Sequence, residues 1–282
     1  MTARMRCRSI AAAALLVACA ACAGSPAAQA PTPGRIVSLA PSLTEIAYAI
    51  DCGGQLVGDT RYDDYPPAAR SLPHVADLTH VDLELLTKLH PTAVLALHDQ
   101  EKEGSEIGRT LGVVVAYLPN RGLPDLYADV AGVGTICNRS AQAAALAASI
   151  KARSEEIAAL GRRSGARPRV MFLLGLPGFS AGEHSYLNDL IELAGGDNVA
   201  GGVDQAYPEL SSESIAAMNP DVLVVSRDVP FGSDVRGREP WRSLSAVKNG
   251  RVEVPPDDDI IERPGPRVVD GLAWLEHAIH TP

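Results

Sequence analysis

Gly178-Phe179-Ser180-Ala181-Gly182 is spaced for nucleophilic chemistry in this 282-residue chain. A G-x-S-x-G run after a strand-like stretch is the pattern of a nucleophile elbow. Asp257 to Asp259 and His277 follow it in the chain order of a Ser-Asp-His hydrolase triad. An elbow, however, starts its helix at the serine, and here the helix cap falls at Ser185, with Gly182, Glu183 and His184 intervening. His277 also lies inside the last helical pattern, so the spacing argues against a hydrolase acting through Ser180. Seven histidines raise a second chemistry, direct capture of a metal ion. His80, His98 and His184 sit at loop ends where Asp259 or Glu262 would complete a ligand set, but no H-x-H or H-x-x-x-H pair concentrates them. His98 could instead serve as an axial ligand to a haem iron. Gly195-Gly196 and Gly201-Gly202 lack a nucleotide-binding fingerprint, so no phosphate loop is expected.

The elements that would carry these residues alternate. Arg35 to Leu39 is strand-like and leads into Ser42-Leu-Thr-Glu45, a capping-box pattern that opens a helix through Ile50. Further strands are expected at 56–59, 93–97 and 113–117, with helical patterns at 83–89 and 105–111 between them, a parallel α/β arrangement. Ser140 to Arg163 is rich in Ala, Glu, Lys and Leu and free of proline. As a helix of that length it would reach about 36 Å, a strut more than a crossover. A strand at 169–174, a helix capped by Ser185 and a strand at 251–254 follow. The last helix carries Val268, Leu272, Leu275 and Ile279 on one face. Within this order, Asp82 to Leu97 and Ser211 to Ser226 repeat one design: an acidic helix start, a short amphipathic helix, a proline turn and a buried strand. The fold class expected is α/β, two Rossmann-like lobes (35–138 and 166–282) joined by a single long helix (139–165), with a ligand cleft between them.

The N-terminus lies outside that fold. Arg4, Arg6 and Arg8 precede an uncharged run from Ile10 to Ala18, a signal peptide over 1–18 that is too short to span a bilayer as a mature helix. Leu16-Val17-Ala18-Cys19 resembles a bacterial lipobox, with Cys19 acylated; cleavage after Ala28-Gln29-Ala30 is the alternative. Residues 19–34 read as a tether. The chain is thus expected to be exported, as a periplasmic or cell-surface lipoprotein held at the membrane by its lipid. Losing the three leader arginines takes the net charge from −9 to −12, which argues against nucleic acid as a partner. Cys52 and Cys137 in an oxidising compartment form a disulfide or remain buried thiols; the sequence leaves both open.

Six segments, Arg35-Ile-Val-Ser-Leu-Ala-Pro-Ser-Leu-Thr-Glu45, Tyr62-Asp-Asp-Tyr-Pro-Pro67, the two repeats, Phe179-Ser-Ala-Gly182 and Glu262-Arg263-x-x-Pro266-Arg267, together resemble a known family. It is the helix-linked periplasmic binding proteins for cobalamin, haem and ferric siderophores, most nearly their cobalamin-binding branch. The resemblance implies a monomer without chemistry or a cofactor of its own, working with an ABC permease and its ATPase subunits. It matches Tyr62, Phe179 and Tyr207 to aromatic positions of the ligand cleft, where flat rings suit a planar chelate. Leu78, Leu97 and Ile260 stand where the cobalamin-binding branch carries tryptophan, so the cleft wall is less aromatic. Glu84 and Glu213 match the paired carboxylates that dock on permease arginines.

Overall fold

Strand and helix alternate through the first lobe as β1 (Ile36–Ser38), α1 (Pro41–Ala49), β2 (Leu56–Thr60), β3 (His74–Ala76), α2 (Leu83–Leu89), β4 (Ala93–Leu97), α3 (Glu101–Leu111), β5 (Val114–Leu118) and α4 (Leu123–Ile136). The computed structural model describes residues 34–77 and 80–281; the leader, Cys19, the tether before residue 34, and Leu78 lie outside them. The five strands run in the order β3-β2-β1-β4-β5, every neighbouring pair parallel. The order reverses direction at β1, and in open parallel sheets the crevice beyond such a switch point is where ligands bind.

The strut then follows as α5 (Ser140–Arg163), with the bounds its composition gives. The second lobe comprises β6 (Arg169–Gly175), β7 (Phe179–Ser180), α6 (Tyr186–Leu193), β8 (Asp197–Asn198), α7 (Ser212–Met218), β9 (Val222–Val225), α8 (Ser233–Arg236), α9 (Ser245–Lys248), β10 (Val252–Glu253), α10 (Asp259–Glu262) and α11 (Val268–His280). Its sheet runs β10-β9-β6-β7, and β6 shares one edge between parallel β8 at its start and antiparallel β7 at its end. A single core joins the lobes: Ile36, Leu43 and Leu126 of the first and Phe172, Val224 and Leu272 of the second belong to one buried cluster with Ile150 and Ile157 of α5.

The internal repeat survives in its hydrogen bonds. Asp82 caps α2 and Ser211 caps α7, and each helix ends on a left-handed residue, His90 at φ 46° and Asn219 at φ 39°. Those ends leave carbonyls without helical partners. Arg35, entering β1, donates to Leu89 O at 2.6 Å, and Arg169, entering β6, donates to Met218 O at 2.7 Å. The backbone N–H of each arginine also reaches the residue after the proline turn, Thr92 Oγ1 and Asp221 Oδ2, both at 3.0 Å.

Two local expectations need correction. Helix α1 begins two residues earlier than the capping box places it: Ala40 is the cap, Pro41 takes the first turn, and Ser42 and Glu45 are buried inside the helix. Proline suits that position because its missing N–H would be unsatisfied there in any case, and Glu45 is used elsewhere. Helix α4 was not expected: it starts with Pro124 and Asp125 in its first turn, but Gly132 and Gly134 obscure its pattern. Gly134 is needed because a Cβ there would lie 2.4 Å from the Cβ of Ala143 on α5. Cys52 and Cys137 are bonded, linking the turn after α1 to the end of α4.

Inside the N-terminal lobe α4 carries Asp129, fully buried, with neither carboxylate oxygen hydrogen-bonded. Burial, and then the charge of Asp125, lift it to about 7. A carboxyl raised from 3.8 is protonated in the folded chain where the unfolded chain has ionised, so it opposes folding increasingly as pH rises from about 4 to about 7. Asp129→Asn should therefore stabilise the protein by about 1–3 kcal/mol at pH 8 and by almost nothing at pH 4. Urea titrations at the two pH values measure the difference; an equal effect at both would show that ionisation of Asp129 is not the cause.

Candidate functional site

The loops that follow β1, β2 and β4 converge on the switch point. Leu39, Ala40 and Pro41 after β1, Thr60 and Tyr62 at the end of β2, and Leu97, Asp99 and Gln100 at the end of β4 line a cavity of about 460 Å³. The same loop supports itself: Gln100 accepts from Leu97 N–H at 2.9 Å and donates to Leu39 O at 2.9 Å, tying the β4 loop to the β1 loop. A second cavity, about 380 Å³, shares Leu97 and Asp99 and has walls from both lobes: His98, Pro119, Asn120 and Arg121 from one, His184, Ala206 and Tyr207 from the other.

Aromatic rings stand open around this space. Tyr62 is 41% exposed, Phe179 42% and Tyr207 46%, and the last two lie with ring centroids 6.2 Å apart. Exposed rings of this size gain little where they are, so a ligand that covers them gains apolar burial without displacing a core. His98 is stacked on Tyr117, with centroids 6.3 Å apart. Leu97 lines both cavities, whereas Ile260 is half-buried against the central core. Crowding by protein raises the Tyr207 phenol, with the charge of Glu262 adding to the effect. Burial holds Glu262 itself at about 7, against the hydrogen bond it accepts from Ser226 Oγ.

Where the lobes meet, Glu45 of α1, only 3% exposed, is gripped by two arginines of the other lobe. Arg267 donates Nε to Glu45 Oε2 at 2.9 Å and Nη2 to Oε1 at 2.7 Å, a bidentate pair, and Arg263 Nη1 adds a contact at 3.3 Å. Arg263 also reaches Asp64 at 2.8 Å, Asp259 at 2.8 Å and Tyr62 O at 3.2 Å; Arg267 reaches Asp257 at 3.3 Å and lies over the Tyr65 ring, 4.2 Å from its centroid. The hydrogen bond from Glu45 is the main cause that raises Arg267 above the ordinary guanidinium value. These residues were visible in the sequence only as parts of the family motifs. No periodicity marks them, because they meet from opposite ends of the chain.

Neither catalytic pattern assembles. Ser180 is fully buried and donates its hydroxyl to Phe172 O at 2.8 Å, in an antiparallel strand and not at a helix start. The glycines around it have a packing cause: a Cβ on Gly178 would lie 2.3 Å from Leu210 O, and one on Gly182 2.3 Å from Gln205 O. The expected metal set is also dispersed. His80 borders a separate small cavity with Arg61 and His74, His98 and His184 line the inter-lobe cavity, Asp259 pairs with Arg263 and Glu262 with Ser226. The donors that do lie within ligating distance of one another, among the described residues, are Glu183, His184 and Asp204 at the surface. Glu84 and Glu213 project from the first turns of α2 and α7. Glu84 is paired with Lys88 at 2.6 Å, and hydrogen bonds from its own backbone and from Ser211 lower Glu213.

Residues 36–258 match the model of the periplasmic binding protein family. The chain belongs to that family. It is 28% identical over 88% of its length to an ABC transporter substrate-binding lipoprotein of Bacillus subtilis, YvrC, of which it covers 80%. It is 29% identical over 88% of its length to a cobalamin-binding protein of Halobacterium salinarum, of which it covers 70%. Its fold is similar to the periplasmic heme-binding protein RhuT of Roseiflexus sp. RS-1, with a TM-score of 0.77 and 26% identity over 88% of this chain and 98% of that one. No helix among the described residues is long and apolar enough to cross a membrane.

The Glu45 clamp gives a test of how the cleft is held. Arg267→Leu leaves a buried carboxylate with its bidentate partner gone, and breaking such a pair from one side costs about 3–5 kcal/mol. Chemical denaturation should show a loss of that order, while Arg163→Leu at the end of α5, where no such pair exists, should change little. Equal small effects would mean that water reaches Glu45 and the clamp is dispensable.

Proposed function

We propose that the protein is the substrate-binding component of an ABC importer and carries cobalamin or a related corrinoid in the cleft between its lobes. The observation that carries this reading is the set of three exposed rings: Tyr62 and Tyr207 line adjoining cavities beyond the strand ends, the one at Tyr207 having walls from both lobes, and Phe179 lies beside Tyr207. A broad, mostly apolar macrocycle matches such faces, which lose little freedom on ordering. Leu97 makes one wall smaller than a tryptophan would, leaving room for a corrinoid whose substituents differ. A haem-type or ferric-siderophore chelate is the second reading; for haem the favouring feature is that His98 and His184 line the same cavity, in reach of a central metal. Isothermal titration with cyanocobalamin, haemin and a ferric siderophore separates these ligands. Replacing each ring by alanine should weaken the bound chelate by about 1–3 kcal/mol per ring in contact. Undiminished affinity in all three variants would place the site elsewhere.

Delivery requires a partner surface. Glu84 and Glu213, at matching places of the two repeats, form a pair of anionic knobs that suits cationic sockets on a permease, and its ATPase subunits would be separate chains. An acyl group on Cys19 would keep the protein at the membrane, with residues 19–34 as the tether. Reversing both carboxylates to lysine should leave the ligand affinity of the purified protein unchanged and lower uptake into cells at least tenfold. Retained uptake would reduce the two residues to helix-start electrostatics.

A further inference from the structure

The larger of the cavities described above is lined, among the described residues, by Asp99 and Glu103, with Asp77 accepting from His80 N–H at 2.9 Å, and by no lysine, arginine or histidine. The one between the lobes adds a single arginine, Arg121, whose Nε is paired with Asp125 at 3.1 Å, together with His98 and His184. The two arginines nearest the junction are not spare. Arg263 and Arg267 between them are engaged by Glu45, Asp64, Asp257 and Asp259, four carboxylates for two guanidinium groups. The polar side chain that might offer a neutral donor, Gln100, already spends its amide on Leu39 O.

A ligand entering this space therefore meets acceptors and negative charge. In the larger cavity a phosphate or carboxylate would lose its water, find no cationic partner among the described lining residues and face like charges, which is unfavourable. Carboxamides, which bring N–H donors, and a net positive charge are favoured instead. Cobalamin carries amide groups around its ring, but its nucleotide arm is joined through a phosphodiester whose negative charge cancels the positive charge at cobalt. Haem carries two carboxylates.

We infer that the cleft selects amide-bearing, net-positive chelates, and that an incomplete corrinoid lacking the phosphodiester-linked nucleotide is bound in preference to complete cobalamin. This rests on the corrinoid reading above. Asp99 and Glu103 are the selecting residues, since both line the larger cavity and Asp99 is common to both cavities.

The experiment is titration of the mature chain with aquocyanocobinamide, cobinamide phosphate and cyanocobalamin at low and high salt. Cobinamide should bind at least tenfold more tightly than cyanocobalamin. Cobinamide phosphate, which restores the anion without the bulk of the nucleotide, should lose that advantage. The preference should shrink as salt rises, because screening weakens attraction between exposed charges. In the Asp99→Asn, Glu103→Gln double variant the two corrinoids should come within about threefold of each other, the charge term having been removed. Equal binding of cobinamide and cobalamin overturns the selection while leaving the corrinoid reading in place. Cobinamide phosphate binding as well as cobinamide overturns it too, since size and not charge would then decide. Failure of every corrinoid to bind, with haemin bound, removes the corrinoid reading and this inference together.

Discussion

Everything about the cleft depends on the contact between Glu45 and the two arginines that enclose it. Glu45 belongs to the first helix of one lobe and Arg263 and Arg267 to the far end of the chain, so the contact can form only when both lobes are in place. A buried ion pair of this kind adds little net stability over an apolar contact of similar volume, because both charges must be taken out of water. Its value is directional. A bidentate guanidinium fixes distance and angle together, and a lobe rotated by one side-chain width would leave a buried carboxylate unpaired. The same junction is tied a second time, where Asp189 of α6 accepts from Leu123 N–H at 2.9 Å at the start of α4. With one core running through both lobes and α5 packed along it, large closure would break three separate contacts at once.

Around that junction the two lobes reuse one local solution. An arginine entering the first strand satisfies the carbonyls at the end of a seven-residue helix, and a left-handed residue with a proline turn then sends the chain into the next strand. The helix axis, and with it the first-turn glutamate, is thereby fixed relative to the sheet in each lobe. Glu84 and Glu213 are exposed for the same structural reason, and their similarity follows from the shared geometry of cap, helix and strand. The second lobe departs from the first where the ligand space begins. There β7 replaces a parallel neighbour, and the Phe179–Glu209 bridge brings the 205–210 segment against Gly178 and Gly182. That close approach turns Phe179 and Tyr207 outward toward the cleft.

Elements whose signal is local were legible in the sequence. The strut from Ser140 to Arg163, the strand from Ala93 to Leu97 and the helix from Leu83 to Leu89 have the bounds their patterns give, since each shows period and composition within its own residues. What was illegible depends on distant partners. Glu45 looked like a capping residue because its spacing to Ser42 fits one, and only the arrival of Arg267 shows why it is buried within the helix. Helix α4 was hidden by two glycines, Gly134 admitting α5 and Gly132 admitting Leu118 of β5. The three-residue strand β3 is too short to alternate. G-x-S-x-G has a cause of the same kind: its glycines answer to backbone carbonyls more than twenty residues away. Of the candidate cleft residues, Tyr62, Phe179 and Tyr207 came from the family resemblance, Leu97 as a departure from it and His98 from its place at a loop end; Tyr62, Leu97, His98 and Tyr207 line two adjoining cavities, and the carboxylates of the larger one come together only when the loops are assembled.

That acidity and the clamp are two results of one distribution of charge. The chain carries 34 acidic residues against 25 lysines and arginines, so carboxylates outnumber their possible partners throughout. At the junction the shortage is resolved in favour of the fold: the arginines closest to the ligand space are held by buried Glu45 and by Asp64, Asp257 and Asp259. A guanidinium committed in this way cannot also neutralise a ligand anion without releasing a carboxylate into a poorly solvated site, and the release costs more the more deeply that carboxylate is buried. Asp99 and Glu103 stay at the wall of the larger cavity, where no cation stands among the described lining residues. Lobe orientation and ligand charge are thus not independent choices in this protein, because the contact that sets the width of the cleft also withdraws the groups that an anionic ligand would need.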